Sequence, residues 1–311
     1  MTRAVPHALP WRVIAMRLVT SFASLPLILL VGSYFIEGFL RKSYSVPPSS
    51  AAVVISGASS GIGRDAAIRL ASLGYTVFAG VRTVEAGQAL QSAMPESSRA
   101  RLHPLILDVT SSSSVAEAAK TVTASLDRGD GARLHGLVNN AGIELHCSAG
   151  GGDGTVQATQ QTLDVNVVGM VRTSEAFLPL LRRTAGTRVV NIGSLAGRLH
   201  RPNDLAYIAS KHAVEGLSDA MRLDLQPHGL SVSLIQPGFV ASSMCGHAGC
   251  VNLPNTTTTP AIEHALLSPY PRTRYAVSET YGIPASASMV LSTCLPDRLK
   301  DLVILLFERP V

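Results

Sequence analysis

The sequence predicts a doubly wound α/β fold, a single domain in which a mainly parallel β-sheet carries helices on both faces. Three observations lead to this prediction. Short runs rich in Val, Ile and Leu alternate with longer amphipathic stretches through most of the 311 residues. These runs lack the alternation of apolar and polar residues that is typical of a sheet with one solvent-exposed face. A glycine-rich turn follows the first run. Strands buried on both faces have this pattern, and alternating strands and helices form a parallel sheet through right-handed crossovers.

Composition and charge exclude several classes of protein. The chain is 46% hydrophobic and 15% charged, against about 25% charged in soluble domains, which excludes a disordered chain. Four cysteines are too few for a disulfide framework. Four of the five net positive charges lie in the first 50 residues. Since residues 51–311 are nearly neutral and have no basic run to neutralise phosphates, nucleic acid is not a predicted partner.

Residues 18–36 form a run of 19 residues without a charge. At about 1.5 Å per residue, a helix of this length just crosses the roughly 30 Å hydrocarbon layer, and Pro26 is tolerated in a membrane helix. We therefore expect residues 1–42 to be a single-pass membrane anchor with a hydrophobic helix, in the endoplasmic reticulum or another endomembrane if the cell is eukaryotic. A cleaved signal peptide that ends near residue 33 is the alternative, and the flanking charges do not set the orientation.

The globular domain is predicted to span residues 51–311, after a linker over residues 43–50 that contains two prolines. Six short apolar runs within it are expected to be the strands of the sheet. They lie at residues 52–56, 76–81, 102–107, 134–138, 188–192 and 231–235.

A glycine-rich turn follows the first predicted strand and precedes a helix. It reads Ser56-Gly57-Ala58-Ser59-Ser60-Gly61-Ile62-Gly63. Glycines permit a tight turn, and backbone N–H groups at the helix N-terminus favour a pyrophosphate, so the turn indicates a Rossmann-type dinucleotide site. An ordinary strand-to-helix loop is the alternative that the turn alone leaves open. The expected cofactor contacts are Gly57, Ser59, Gly61, Ile62 and Gly63.

The spacing of this turn, Gly-x-x-x-Gly-x-Gly, resembles that of the short-chain dehydrogenase/reductase family, with Ser56 where the family more often has Thr. Asn139-Asn140-Ala141-Gly142 after the fourth strand matches the family's Asn-Asn-Ala-Gly motif. The resemblance implies that Asn139 stabilises the sheet and lines the cofactor cleft, and that Asp108 lies on the adenine side. From the residues alone, Asp108 is equally well a helix cap.

The end of the second strand indicates which nicotinamide cofactor is used. An acid at this place binds the ribose hydroxyl of NAD, whereas a cation accommodates the 2′-phosphate of NADP. Val81 stands where the acid is expected, and Arg82, which follows it, is able to form two bonds with a phosphate. The sequence therefore favours NADP(H) over NAD(H). A solvated Arg82, or a ribose contact from Glu85, would remove this preference.

Tyr207 and Lys211 are four residues apart on a predicted helix, so their side chains share one face. A neighbouring ammonium stabilises the phenolate, and we expect Lys211 to lower the pKa of Tyr207 far enough for proton exchange near neutral pH. A chance pair on an amphipathic helix is the alternative.

Further matches extend the resemblance to the short-chain family over about residues 51–240. Ser194 precedes Tyr207 by 13 residues, Asn166 lies in Asn166-Val167-Val168-Gly169, and Pro237-Gly238 follows the sixth strand, where the nicotinamide would lie. The resemblance implies that Tyr207 exchanges a proton with the substrate, that Lys211 also holds the nicotinamide ribose, that Ser194 orients the carbonyl or alcohol, and that Asn166 holds a water. The segment is similar to the branch with retinol, hydroxysteroid and hydroxybutyrate dehydrogenases.

A variable substrate lid is expected over about residues 239–275, where the chain is largely apolar. The apolar residues are Phe239, Val240, Met244, Leu253, Ile262, Leu266 and Leu267. Pockets for lipophilic ligands are lined in this way, so we predict an oxidoreductase for a hydrophobic alcohol or carbonyl compound such as a retinoid, a steroid or a lipid. The same side chains are also able to pack the lid onto the domain.

Two other functions stay open. A dehydrogenase for a small polar hydroxy acid such as 3-hydroxybutyrate needs a cation in the pocket, and Arg198 and Arg201 are the candidates. A membrane-tethered nucleotide-binding scaffold without turnover has no need of Ser194, Tyr207, Lys211 and Asn166 together. A homo-oligomer fits the family, but the sequence shows no interface.

No metal site is predicted. Cys245, His247 and Cys250 form half of a metal-binding set, without a fourth ligand. His146 and Cys147 are interpreted as loop lining. Asn255-Thr256-Thr257 is a glycosylation sequon, which has meaning only if the domain faces a lumen.

Overall fold

Seven strands form one sheet in which every neighbouring pair is parallel. The strands are Ala52–Ile55 (β1), Thr76–Val81 (β2), Leu102–Ile106 (β3), Leu134–Asn139 (β4), Arg188–Ile192 (β5), Ser231–Pro237 (β6) and Arg274–Val277 (β7). Their order is β3-β2-β1-β4-β5-β6-β7. The order reverses between β1 and β4, and ligands of such sheets bind at the carboxyl ends of the strands at that place. The predicted doubly wound fold is confirmed.

Helices connect the strands and cover the sheet. They are Gly61–Ser72 (α1), Val84–Ser92 (α2), Glu96–Arg99 (α3), Ser112–Arg128 (α4), Thr155–Leu163 (α5), Gly169–Leu181 (α6), Leu205–Leu225 (α7), Thr259–Leu267 (α8), Ala285–Cys294 (α9) and Asp297–Phe307 (α10). A π-helical turn, Asp164–Val168, joins α5 to α6. Two short antiparallel strands, Glu279–Thr280 (β8) and Ile283–Pro284 (β9), precede α9.

The sheet is buried on both faces. Val53 and Ile55 of β1 belong to a core layer that includes Leu70 of α1, whereas Val54 belongs to the opposite layer, with Phe177 of α6. Because successive side chains of a strand point to opposite faces, both sets of positions must be apolar. This accounts for the continuous apolar runs from which the strands were predicted.

Two features of the carboxyl-terminal third differ from the sequence-based expectation. β7 was not predicted; it is a four-residue edge strand, and only Tyr275 in it is buried. Part of the segment expected as a lid, α8, packs into the core, where Ile262 and Leu266 are 0% exposed. A strand of four residues with one buried position gives only a weak apolar signal, and a short apolar segment does not reveal which surface it covers.

The computed structural model describes residues 43–44, 51–128, 132–148, 154–240, 255–280 and 282–307. Within these ranges no helix is both long enough and apolar enough to cross a membrane. The predicted membrane segment 18–36, most of the linker and the Cys245–Cys250 segment lie outside the described residues.

Candidate active site

A cavity of about 660 Å³ is lined by residues that follow β1 to β6, and by α7, β9, α9 and α10. The sequence-predicted residues that line it are Gly57, Ser59, Gly61, Ile62, Arg82, Asp108, Ser194, Tyr207, Lys211, Pro237 and Gly238. Three other predicted residues, Gly63, Asn139 and Asn166, do not line the cavity. The structure thus brings residues from six strand ends to one cavity.

The glycine turn brings backbone close to backbone. Gly57 has a φ of +66°, and a Cβ at this residue would lie 2.8 Å from the Cα of Ala141, so only glycine fits. The side chain of Ser60, which precedes α1, caps none of the N–H groups of that helix. An uncapped helix N-terminus beside a cavity favours an anion such as a pyrophosphate.

Ser56 and Asn140 join this turn to the loop after β4. The Ser56 hydroxyl accepts hydrogen bonds from the backbone N–H groups of Asn140 (3.0 Å) and Ala141 (3.1 Å). The Asn140 amide donates in return to the carbonyl oxygens of Ser56 (3.0 Å) and Gly57 (2.9 Å). A Cβ at Gly63 would lie 2.3 Å from the amide nitrogen of Asn140. Gly63 therefore permits this contact rather than touching the cavity.

Asn139 stabilises the sheet. Its amide donates to Asn191 Oδ1 and to Ser174 Oγ, both at 2.9 Å, and the residue is buried. These bonds tie β4 to β5 and to α6. Asn140, Ala141 and Gly142 of the same motif line the cavity, whereas Asn139 does not.

Arg82 and Asp108 lie where β2 and β3 end. Arg82 is exposed and lines the cavity, whereas Glu85, also exposed, lies in the first turn of α2 outside the lining. The Asp108 carboxylate accepts hydrogen bonds from the hydroxyl (2.7 Å) and the backbone N–H (2.9 Å) of Thr110. These bonds stabilise the charged form and lower the pKa of Asp108.

Ser194, Tyr207 and Lys211 meet in the cavity. The Lys211 Nζ lies 5.5 Å from the centre of the Tyr207 ring and donates a hydrogen bond of 3.0 Å to the carbonyl oxygen of Ile192. The Ser194 hydroxyl follows β5 and is hydrogen-bonded to the Tyr207 phenol. It also accepts from the backbone N–H of Ala196 at 3.1 Å, which fixes its direction.

The pKa values of this group correct one expectation. Burial, and next the Glu144 carboxylate, raise the pKa of Tyr207 to about 12, against the opposing effects of the Ser194 hydrogen bond and the Arg201 charge. Burial lowers the pKa of Lys211 to about 8. The expected pKa near neutrality is therefore not found in this structure, because burial outweighs any stabilisation of the phenolate by Lys211. A phenol with this pKa keeps its proton at neutral pH and is able to donate it.

Asn166 lies in the π-helical turn and is 1% exposed. Its Oδ1 accepts from the backbone N–H of Ile143 (2.8 Å), and its Nδ2 donates to the carbonyl of Ile143 (2.9 Å) and to Ser210 Oγ (2.9 Å). The side chain thus clamps Ile143, which lines the cavity, to α7. Its polar atoms all have protein partners, so the water-holding role stays a prediction.

Glu144 and Asp204 were missed by sequence reasoning. Arg201 Nη2 lies 2.9 Å from Glu144 Oε1 and 2.5 Å from Asp204 Oδ2, and both Glu144 and Arg201 line the cavity. The other candidate cation, Arg198, lies outside the lining and pairs with Glu215 at 3.2 Å. One available signal was the acid at position 144, two residues after the end of the Asn-Asn-Ala-Gly motif and between Ile143 and Leu145.

A metal has little room in this cluster. Ligand atoms of Glu144, His146 and Asp204 lie within 4.8 Å of one another, and His146 Nδ1 is 2.9 Å from Asp204 Oδ1. The Arg201 guanidinium already lies against both carboxylates, so it supplies the positive charge that a metal would bring. No metal is therefore assigned to the described residues.

Apolar side chains from four loops and from α10 form much of the remaining lining. These residues are Leu145, Leu199, Phe239, Val240, Leu295 and Ile304. Part of this wall lies in α10, beyond the segment expected as a lid. The cavity therefore combines the group of Ser194, Tyr207 and Lys211 and the Glu144–Arg201 ion pair with apolar surface.

Comparisons with known proteins agree with this geometry. The family model described as short chain dehydrogenase matches residues 51–249. Retinol dehydrogenase 5 of Mus musculus is 32% identical, over 90% of this chain and 96% of its own length. The mitochondrial D-beta-hydroxybutyrate dehydrogenase of Rattus norvegicus is 38% identical, over 65% of this chain and 59% of its own length. A short chain dehydrogenase from Burkholderia cenocepacia in complex with NADP has the same fold, with a TM-score of 0.67 at 22% identity, over 84% of this chain and 98% of that one.

Proposed function

The chain belongs to the short-chain dehydrogenase family and is an NAD(P)-dependent oxidoreductase that acts on CH–OH groups; on that premise we propose that it prefers NADP(H) and acts on uncharged hydrophobic alcohols and carbonyl compounds. One observation carries the proposal: a protonated phenol, Tyr207, lies with Ser194 and Lys211 in a cavity whose remaining lining is mainly apolar.

The residues present fit a dinucleotide. Gly57, with its positive φ, lets the turn lie against Ala141 beside the cavity, and the N-terminus of α1 has no side-chain cap from Ser60. These two features suit a pyrophosphate, and the buried Lys211 ammonium suits a ribose hydroxyl. When bound, the nicotinamide supplies or accepts the hydride.

The protein's own part in the reaction is to hold and move a proton. Tyr207 donates its phenolic proton to the oxygen of a carbonyl substrate, and in the reverse direction it takes the proton back. The Ser194 hydroxyl, already fixed by Ala196, orients the same oxygen. The Lys211 ammonium, 5.5 Å from the ring, stabilises the phenolate that forms as the proton leaves. Asn166 positions Ile143 of the cavity wall. In our proposal it also holds the water of a proton relay.

The preference for NADP(H) rests on Arg82. It is the cation in the lining at the end of β2, and Val81 before it offers no carboxylate to a ribose hydroxyl. Glu85, the alternative ribose contact, lies outside the lining. A guanidinium at this place accommodates a 2′-phosphate through charge-assisted hydrogen bonds.

An uncharged, hydrophobic substrate is supported by the lining and by the pairing of Arg201. A small hydroxy acid needs a cation for its carboxylate. In the lining, Arg201 lies against Glu144 and Asp204, and Lys300 lies 3.0 Å from Asp297, so both are paired with carboxylates. The relatives' names, a retinol and a D-beta-hydroxybutyrate dehydrogenase, include both substrate classes. The hydroxy acid is therefore the second candidate.

We also propose that residues 18–36 attach the protein to an endomembrane as a single span. The support is the uncharged run of 19 residues. An anchored enzyme meets a lipid-dissolved substrate at the bilayer surface, which agrees with the apolar lining. A homo-oligomer stays a prediction from the resemblance to the family.

The test is a turnover assay on the full-length chain in non-ionic detergent, with NADPH or NADH and with retinal, a steroid ketone or acetoacetate. We expect NADPH oxidation with a hydrophobic carbonyl, and slower turnover with NADH. A clear preference for acetoacetate would support the hydroxy-acid function instead. Tight binding of NADPH without turnover of any substrate would support the scaffold.

A further inference from the structure

Glu144 adds a negative charge to the wall of the cavity that holds Tyr207. We propose that Glu144 determines substrate specificity by excluding anionic substrates, both through its own charge and by pairing with the Arg201 guanidinium that would otherwise attract a carboxylate. This inference rests on the proposed function, because it explains how the cavity selects uncharged substrates.

The geometry of the pair supports this role. Glu144 lies in the loop after β4 and Arg201 in the loop before α7, and both side chains line the cavity. Their ion pair is 2.9 Å long, with side-chain exposures of 9% for Glu144 and 21% for Arg201. A pair so little exposed is weakly screened by water and salt. The electrostatic field of the pair therefore affects a substrate bound in the cavity.

The cluster has more negative than positive charge. Arg201 is one cation between two carboxylates, since Asp204 Oδ2 lies 2.5 Å from the same nitrogen. His146 Nδ1 also lies 2.9 Å from Asp204 Oδ1, and the His146 side chain is exposed. With Glu144 charged, a substrate carboxylate beside Arg201 meets an anion at the place where it would need a free cation.

The field of Glu144 reaches the reacting group. Its carboxylate raises the pKa of both Tyr207 and Lys211. A substrate that places its carbonyl oxygen at Tyr207 therefore has its neighbouring atoms within range of the same charge. A carboxylate one or two bonds from that carbonyl is repelled, whereas an ester or an alkyl group is not.

Contacts with Phe239 and Asp204, in addition to Glu144, hold Arg201 at the cavity wall. Its guanidinium lies 5.5 Å from the centre of the Phe239 ring and against Asp204. Glu144→Gln keeps the size of the side chain and one hydrogen-bond acceptor for Arg201, but it removes the charge. The variant should therefore keep the arginine in place beside Asp204 and reduce the negative charge that an anionic substrate meets there.

The experiment compares 3-oxohexanoate with its methyl ester, which share one reacting ketone, on the full-length chain with saturating NADPH at pH 7.5. We expect wild type to favour the ester, and Glu144→Gln to raise the ratio of kcat/KM for acid over ester by roughly tenfold or more, the size expected for removing one nearby charge. Glu263→Gln is the matched control, because it breaks another Glu–Arg ion pair of 2.9 Å, with Arg69, outside the cavity. An unchanged ratio in Glu144→Gln, or a wild type that favours the acid, would overturn the proposal.

A binding measurement separates this inference from the proposed function and needs no variant. Hexanoate and hexanamide have the same shape and differ in charge, and their affinities for the wild-type chain saturated with NADPH are measured by calorimetry. We expect hexanamide to bind at least roughly tenfold more tightly. Equal affinities would overturn the inference even if turnover is found. Selective binding of the amide without any turnover would uphold the inference while the proposed function fails.

Discussion

The Lys211 ammonium lies 5.5 Å from the centre of the Tyr207 ring, and yet the pKa of the phenol is raised, to about 12. Burial opposes the phenolate, and the Glu144 carboxylate opposes it further. The proximity of a cation is therefore insufficient to make this phenol acidic before the reaction. We expect Lys211 to stabilise the phenolate and so to offset part of this rise, without bringing the pKa near neutrality.

Tyr207→Phe removes the proton donor and keeps the ring. We expect kcat for carbonyl reduction to fall by roughly 100- to 10,000-fold, the usual contribution of a general acid. The affinity for NADPH, measured by fluorescence titration, should stay close to wild type because Lys211 and the glycine turn are unchanged. Tyr270→Phe, an exposed tyrosine outside the cavity lining, is the control and should leave kcat unchanged. Activity retained in Tyr207→Phe would remove the phenol from the mechanism.

The rate of carbonyl reduction should depend on pH through Lys211. Its pKa is lowered to about 8, so the ammonium is present below that pH and is lost above it. We expect kcat/KM to be highest below about pH 8 and to fall as the pH rises through this value. Tyr207, with a pKa of about 12, stays protonated throughout a titration from acid to moderately alkaline pH. In Lys211→Arg the charge persists, so the fall near pH 8 should disappear even if the rate is lower; a fall that remains would assign it to another group.

Arg82→Ala tests the choice of cofactor. Losing charge-assisted hydrogen bonds to a 2′-phosphate should raise the Kd for NADPH by roughly 10- to 100-fold, while the Kd for NADH changes little. Arg101→Ala, an exposed arginine before β3 that does not line the cavity, is the matched control. Equal losses for both nucleotides would show that Arg82 does not recognise the 2′-phosphate.

Two glycine substitutions should have opposite effects on stability. In Gly63→Ala the new Cβ would lie 2.3 Å from Asn140 Nδ2 and 2.4 Å from the carbonyl oxygen of Gly57, so the turn must move. We expect the free energy of unfolding to fall by about 1 to 3 kcal/mol and NADPH binding to weaken. Gly216→Ala, on an exposed part of α7 with nothing within 4 Å of the new Cβ, should raise the stability by up to about 1 kcal/mol. Urea unfolding measures both, and a stable Gly63→Ala variant would contradict the close packing of the turn.

Local patterns were sufficient for much of the fold and for part of the candidate site. Five of the six predicted strands lie inside the sheet and are apolar because both of its faces are buried, so the apolar runs in the sequence show where they lie. Tyr207 and Lys211 share one helix, and the spacing of four residues is enough to put them on one face. Gly57 and Gly61 have positive φ, a conformation that glycine readily adopts, and their spacing is visible in the sequence.

Other features depend on contacts between distant parts of the chain. Glu144 and Arg201 are 57 residues apart in the sequence. Glu144 follows β4 and Arg201 follows β5, and the two meet because the carboxyl ends of these parallel strands lie at the same edge of the sheet. β7 is short and mostly half-buried, so it carries little apolar signal. α8 has the apolar composition of a lid, but its partners in the core come from α1 and the sheet.

The sequence by itself determined the fold class and the glycine turn and predicted the residues of the proton chemistry, because each of these depends on a pattern or spacing within one strand, turn or helix. Only the tertiary structure decided the protonation of Tyr207, the neutralisation of Arg201 and the surfaces that form the cavity. Burial and electrostatic fields are sums over atoms that are near in space and far apart in the chain, and no local spacing contains those sums.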